Sequence, residues 1–142
     1  MPPSLLDTDI LSEFLKQKNP IVAARATAYL QQHGAFTFSA FTRYEVQRGL
    51  RAKNATLQLA RFTTFCQHSQ VLPITDAVLD RTAELWVLAN QGGHPNRDAD
   101  LLIAATALEH GRILVTGNTR HFVWIPNLVL DDWRTVFSTT TP

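Results

Sequence analysis

Ser4-Leu5-Leu6-Asp7-Thr8-Asp9-Ile10-Leu11-Ser12-Glu13-Phe14-Leu15 changes its hydrophobic rhythm at Asp7. The run Ser4-Leu5-Leu6 is short, apolar and closed by an acid. Ile10, Leu11, Phe14 and Leu15 then recur at helical spacing, so the segment reads as a strand running straight into a helix. The same unit returns downstream. Ala35-Phe36-Thr37-Phe38 alternates like a strand, and Ser39 is placed to cap a helix carrying Tyr44, Glu45, Val46 and Leu50. Between them a helix starts at Pro20, a favoured first-turn residue, and runs to about Gln32, with His33-Gly34 ending it.

The second half repeats the alternation. A helix is expected over residues 55–68, a strand over 70–74 and a helix over 77–90 capped by Asp76. Gln91-Gly92-Gly93-His94-Pro95-Asn96 has the chemistry of a loop, and an Ala-rich helix follows from Asp98 or nearby to Glu109-His110, with Gly111 ending it. Strands are expected over 112–116 and 127–130, with a frayed tail over about 134–142. Strands alternating with helices imply an α/β fold, with a central, mostly parallel sheet covered by helices on both faces. In such sheets a ligand crevice opens beyond the carboxyl ends of the strands.

At 142 residues and 45% hydrophobic content, the chain suits a single domain with one sizeable core. The net charge of +1 conceals an asymmetry. Residues 1–71 hold eight Lys/Arg against four Asp/Glu, a balance of +4, whereas residues 72–142 hold five against eight, a balance of −3. One cysteine, Cys66, excludes an internal disulfide and reads as a buried, inert helix residue. The five histidines (33, 68, 94, 110 and 121) show no i,i+4 pair and no neighbouring Cys, which argues against a zinc site. Trp86, Trp124 and Trp133 read as core or interface residues. Met1-Pro2-Pro3-Ser4 has neither the basic start nor the apolar run of a signal peptide, and no stretch reaches membrane-spanning length, so a cytoplasmic location and no membrane partner are expected.

Four polar clusters stand beside the apolar segments: Asp7-Thr8-Asp9, Thr42-Arg43-Tyr44-Glu45, Asp98-Ala99-Asp100 and Thr116-Gly117-Asn118. Carboxylates gathered at strand ends repel one another unless a hard cation, a proton or a basic group lies between them. Asp7, Glu45 and Asp100 are the candidate cation ligands, with Asp98 an additional one. Each has a plainer reading. Helix capping is open to the acids of the first cluster and suits Asp9 or Thr8 better than Asp7; Arg48 is an i+3 ion-pair partner for Glu45; and Asp98 and Asp100 open a helix whose dipole favours anions. Asn118 offers an amide oxygen to a metal-bound water. Thr8, Asp9, Ser39 and Thr116 are candidates for hydrogen bonds that fix the ligands. Arg43, Arg48, Arg51, Lys53 and Arg61, with only Glu45 as an acid among them, form a candidate rim for the phosphates of a polyanion, the plainer reading being a solvated helix face.

These four segments, in this order, resemble the motifs of the PIN-domain ribonucleases, particularly the VapC-type toxins of toxin–antitoxin pairs, over nearly the entire chain. The carriers are Leu6-Asp7-Thr8-Asp9-Ile10-Leu11-Ser12-Glu13, Ser39-Ala40-Phe41-Thr42-Arg43-Tyr44-Glu45, Asp100-Leu101-Leu102-Ile103-Ala104-Ala105 and Leu114-Val115-Thr116-Gly117-Asn118-Thr119-Arg120-His121-Phe122. The resemblance implies a three-layer α/β/α sandwich whose Asp7, Glu45 and Asp100 hold Mg2+ or Mn2+ for hydrolysis of RNA. It also implies a homodimer and a cognate antitoxin. Many members carry Asp at the Asn118 position, while toxin members often carry Asn; Asp98 is a possible offset for the lost carboxylate.

Two other functions fit parts of the pattern. Asp7-Thr8-Asp9 after a strand also looks like the opening of the haloacid-dehalogenase phosphatases, but those need a downstream lysine and none follows Lys53. The non-enzyme alternative is a catalytically weak PIN-like module that docks a basic protein partner in its acidic pocket.

Overall fold

A computed structural model describes residues 1–136. Strand β1 (Ser4–Leu6) pairs in parallel with β4 (Ile113–Val115), which pairs in parallel with β5 (Leu130–Asp131). Strand β2 (Thr37–Ser39) pairs in parallel with β3 (Gln70–Leu72) and packs beside β1. Among the described residues the central layer is therefore two hydrogen-bonded pieces, all parallel. Side chains stitch them together. Arg112 donates to Ser4 O at 3.3 Å and to Gln70 Oε1 at 3.1 Å, and Gln70 Oε1 also accepts from Thr37 Oγ1 at 3.0 Å.

Among the described residues, six α-helices surround the strands: α1 (Thr8–Lys16), α2 (Pro20–His33), α3 (Ala40–Ala52), α4 (Thr56–Gln67), α5 (Asp76–Gly92) and α6 (Asp98–Glu109). The expected alternation of elements holds, and the differences are local. Strand β3 stops at Leu72 because Pro73 has no N–H to continue the ladder. The last strand lies at Leu130–Asp131 rather than 127–130, since Asn127 takes a left-handed φ of 66° that no strand accommodates. Helix α5 is capped by Thr75, whose hydroxyl accepts from Val78 N, and not by Asp76. Of the expected tail, Arg134 is tied to Asp132 and Gly117, while residues 137–142 lie outside the described residues.

Strand side chains alternate between two cores, which is why helices are needed on both faces. Leu5 and Leu114 point into one with Val78, Leu85, Ile103 and Phe122. Leu6 and Val115 point into the other with Ile10, Val22, Phe38 and Trp133. Helix α6 buries Leu101, Ile103, Ala104, Ala105, Thr106 and Ala107, so it is apolar almost all round and anchored in the interior. Trp133 is buried, whereas Trp86 is exposed. Cys66 is half-buried rather than buried, and that burial pushes its thiol up. No helix among the described residues is long and apolar enough to cross a membrane.

One buried cation holds the end of the sheet in place. Arg25 on α2 meets Asp131 at 2.6 Å and donates to Asp132 O at 2.9 Å. Replacing Arg25 with Met is expected to destabilise the fold by about 2–3 kcal/mol in urea titration, below the full cost of breaking a buried pair because Asp131 is partly solvated. An unchanged midpoint would show that the contact contributes nothing to stability.

Candidate active site

The carboxyl ends of β1 and β4 lie side by side, and the ladder between them continues by one bond: Asp7 N donates to Val115 O at 2.8 Å. This places Asp7 opposite Thr116. The Asp7 side chain is 6% exposed, with Oδ2 accepting from Thr116 Oγ1 at 2.8 Å and Oδ1 from Thr8 N at 2.7 Å. Asp7 thus occupies the N-cap of α1, the position that sequence pattern favoured for Asp9 or Thr8. Helix α1 therefore starts at Thr8, one or two residues earlier than a cap at Thr8 or Asp9 would place it. Burial, and then the negative charge of Asp9, push the Asp7 carboxyl up to about 7; Asp100 adds to the rise, and the two hydrogen bonds oppose it.

Asp9 lies two residues further, where its Oδ2 accepts from Gly117 N at 2.8 Å and its Oδ1 from Ile10 N at 2.7 Å. Burial raises its carboxyl too, against those hydrogen bonds and the charge of Arg134. Arg134 donates to Gly117 O and pairs with Asp132 at 3.2 Å, so the guanidinium lies across the β4 exit. A Cβ at Gly117 would sit 2.5 Å from Arg134 Cζ and 2.7 Å from Asp9 Oδ2. Gly117→Ala is therefore expected to displace the flexible ends of both side chains and to cost about 0.5–1.5 kcal/mol in thermal or chemical unfolding, the worth of the Gly117 N–Asp9 hydrogen bond it disturbs. A variant as stable as the parent would show that the crossing relaxes freely.

Glu45 reaches the site from α3. Its Oε1 accepts from Thr8 Oγ1 at 2.6 Å, the Thr8 hydroxyl also lies 3.1 Å from Thr42 Oγ1, and Oε2 is 3.6 Å from Arg48. The ion-pair reading and the site reading of Glu45 thus coexist. Asp100, in the first turn of α6, meets His121 Nδ1 at 3.2 Å through Oδ2. Asp98 is exposed, and α6 has no side-chain cap, so Asp98 bonds to neither the other acids nor the helix end.

Of the remaining candidates, Thr116 bridges Asp7 and Asn118 by donating to the carboxylate and accepting from Asn118 N at 3.0 Å. The Asn118 side chain is exposed at the same edge. Ser39 is fully buried and accepts from Phe41 N at 3.0 Å, so it is bonded to the backbone of α3 rather than to a carboxylate. The arginine rim divides. Arg48 lies over the Tyr44 ring at 5.1 Å, and Arg51 is on the same helical face. Arg43 points elsewhere, lining an open cavity of about 470 Å³ with Gln47, Cys66 and Gln67.

Among the described residues, no three His, Cys, Asp or Glu side chains converge as a finished cation site. Asp7, Asp9 and Asp100 are instead joined by mutual repulsion, and Glu45 is joined to them through Thr8. An all-oxygen set whose most buried member, Asp7, has no cation in an ion pair with it among the described residues suits a hard divalent cation. Two residues of this neighbourhood, His121 and Arg134, escaped the sequence reading. His121 stands in the fourth motif with no role attached to it, and Arg134 lies in the expected tail. The available signal was position: residues just past the carboxyl ends of parallel strands arrive at the ligand edge.

Known proteins match this arrangement along most of its length. The PIN domain family model matches residues 4–125. Ribonuclease VapC2 of Rickettsia felis is 26% identical over 130 residues, covering 91% of this chain and 96% of that protein. The tRNA(fMet)-specific endonuclease VapC of Shigella flexneri is 28% identical over 130 residues, with the same coverage of 91% and 96%. Among solved structures, DNA-bound VapBC from Salmonella typhimurium superimposes with a TM-score of 0.81 at 25% identity, covering 94% of this chain and 99% of that one. The phosphatase alternative has no place in that match. With the family model spanning most of its 142 residues, and four acidic or polar motifs arriving at one sheet edge, the chain belongs to the PIN-domain family.

Proposed function

We infer that this protein is a metal-dependent endoribonuclease acting as the toxin of a toxin–antitoxin pair. The observation that carries the reading is the buried Asp7 at the end of β1, its carboxyl pushed up to about 7 by burial and by Asp9 and Asp100. Among the described residues, no ion pair supplies that acid with a counter-charge. Asp7, Asp100 and Glu45 are the residues to hold Mg2+ or Mn2+, with Asp98 peripheral. Such an ion, when bound, lowers the pKa of water and offsets charge building on a phosphate oxygen.

The protein's own groups prepare the site. Thr116 and Thr8 hold Asp7 and Glu45 in fixed orientations, so little rearrangement is needed when substrate arrives. Asn118 presents an exposed amide to water or phosphate, and Arg134 and Arg48 put positive charge beside Asp9 and Glu45. RNA contacts from Arg51 and Arg43 would then lie further along the strand.

The antitoxin reading has its own support. A groove of about 750 Å³ between α1, α3 and α4 is floored by Phe14, Leu50 and Phe62 and fringed by Lys16, Lys18 and Arg61. That chemistry suits an amphipathic segment with acidic flanks. Exposed Leu79, Trp86 and Val87 along α5 support a homodimer. The cytoplasmic assignment rests on the nuclease reading, since RNA and antitoxin would be met there.

One competitor is a weak module that docks a basic partner in the acidic pocket without turnover. The deciding experiment incubates purified, antitoxin-free protein with end-labelled cellular RNAs, initiator tRNA included, in Mn2+, Mg2+ or chelator. Discrete cuts that chelator abolishes are expected. Folded protein that cuts nothing in any RNA would leave the docking module as the better reading.

A further inference from the structure

We propose that His121 is a positioning residue that aims Asp100. The inference rests on the nuclease reading above. Asp100 sits in the first turn of α6, and the one hydrogen bond to its carboxylate among the described residues comes from His121 Nδ1 at 3.2 Å, on Oδ2. A carboxylate only accepts, so Nδ1 carries the proton and donates, leaving Oδ1 for a cation or water. The imidazole fixes one of two oxygens that would otherwise exchange by rotation about the Cβ–Cγ bond.

His121 is itself held with more care than an exposed loop residue requires. It closes a 3₁₀ turn, Thr119–His121, in which His121 N donates to Asn118 O at 2.9 Å. Trp124 Nε1 donates to His121 O at 2.9 Å, and the Trp124 ring stacks on His94 with centroids 4.9 Å apart and planes 3° from parallel. The next residue, Phe122, is fully buried. These backbone and neighbour contacts keep the turn in place without the imidazole. The side chain is 35% exposed, and its single polar contact among the described residues is with Asp100. A group that the fold does not need, directed at the acid that the chemistry does need, is a positioning group.

The connection also reaches a surface loop. His94 belongs to the segment between α5 and α6, so the stack on Trp124 links that loop to the turn carrying His121.

The test compares the full chain with His121→Phe, His121→Asn and Trp124→Phe. Asn places its amide nitrogen near the position of Nδ1, whereas Phe keeps the ring and loses the donor. Three quantities are read: thermal midpoint, Mn2+ affinity by calorimetry, and kcat and KM on the RNA that the parent cleaves. For His121→Phe, an unchanged midpoint is expected, with kcat and Mn2+ affinity each about 10–100-fold lower and KM within about twofold on the same positioning argument. His121→Asn should recover most of both losses, and Trp124→Phe, which cannot donate to His121 O, should show a smaller loss of the same kind. Parent-like kcat and Mn2+ affinity in folded His121→Phe would overturn the proposal. So would a rise in KM alone, which would make His121 an RNA contact, or a His121→Asn variant no better than Phe. If the parent cleaves no RNA, the nuclease reading fails by itself, and the Mn2+ affinities of the four proteins still decide whether His121 aims Asp100.

Discussion

Asp100→Asn is expected to lower RNA cleavage by about 10²–10³-fold or more while leaving the thermal midpoint close to that of the parent. The size follows from what the substitution removes. Asn keeps the shape and can still accept from His121 Nδ1, so the contact at 3.2 Å survives in outline. The negative charge does not survive, and charge is what Asp100 contributes beside Asp7. Helix α6 has little reason to move, because Leu101, Ile103 and Ala104 remain buried behind the substituted residue. Single-turnover cleavage and calorimetric melting of the same preparations measure both halves. Retained cleavage in rigorously purified variant would remove Asp100 from the chemistry and would leave the PIN motif here without its central acid.

Asp7→Asn is expected to stabilise the metal-free protein at alkaline pH, an unusual direction for a substitution at an active site. The carboxyl moves from an ordinary value of 3.8 to about 7 in the folded chain. A folded pKa above the unfolded one means that the fold prefers the protonated acid. The penalty is absent below pH 3.8, grows as pH rises through the interval, and is complete above about 7. A rise of about three units corresponds to roughly 4 kcal/mol. Asn is neutral throughout and removes the penalty, less what it loses as an acceptor for both Thr116 and Thr8. Denaturant titration in chelator should find the variant more stable by roughly 2–4 kcal/mol at pH 8 and not more stable at pH 3.5. Adding Mg2+ or Mn2+ at pH 8 should then stabilise the parent and not the variant. Equal stabilities at both pH values would mean that water or local rearrangement already relieves the buried charge.

The two predictions separate chemistry from folding at the same cluster. Asp100 keeps 19% of its side chain exposed and is linked to His121, so neutralising it is expected to change turnover and little else. Asp7 is enclosed at the end of β1, so its charge burdens the fold until a cation answers it. A site that costs stability when empty is what burial of mutually repelling carboxylates entails.

Element order and type were readable in the chain because they rest on local periodicity. Leu5-Leu6 before Asp7, the 3.6-residue spacing of Ile10, Leu11, Phe14 and Leu15, and the caps at Ser39 and Gly34 are properties of neighbours. Boundaries were less readable because they depend on pairing. Leu130–Asp131 is a strand since Leu114 and Val115 pair with it, and no local preference announces that partner. The four acidic or polar motifs were likewise visible as composition at strand ends, and parallel topology was enough to send Asp7 and Thr116 to one edge.

What each acid touches was decided only in three dimensions. Thr8 joins Glu45 across 37 positions, Thr116 joins Asp7 across 109, and His121 joins Asp100 across 21. Ser39, with equal promise in sequence, is taken by the backbone at Phe41. Arg43 and Arg48, five positions apart, leave one helix in different directions. The fold class and the chemical type of the site follow from hydrophobic period and residue type, which are written along the chain. The assignment of partners, and the burial that pushes the Asp7 carboxyl up to about 7, arise only when distant segments exclude water together.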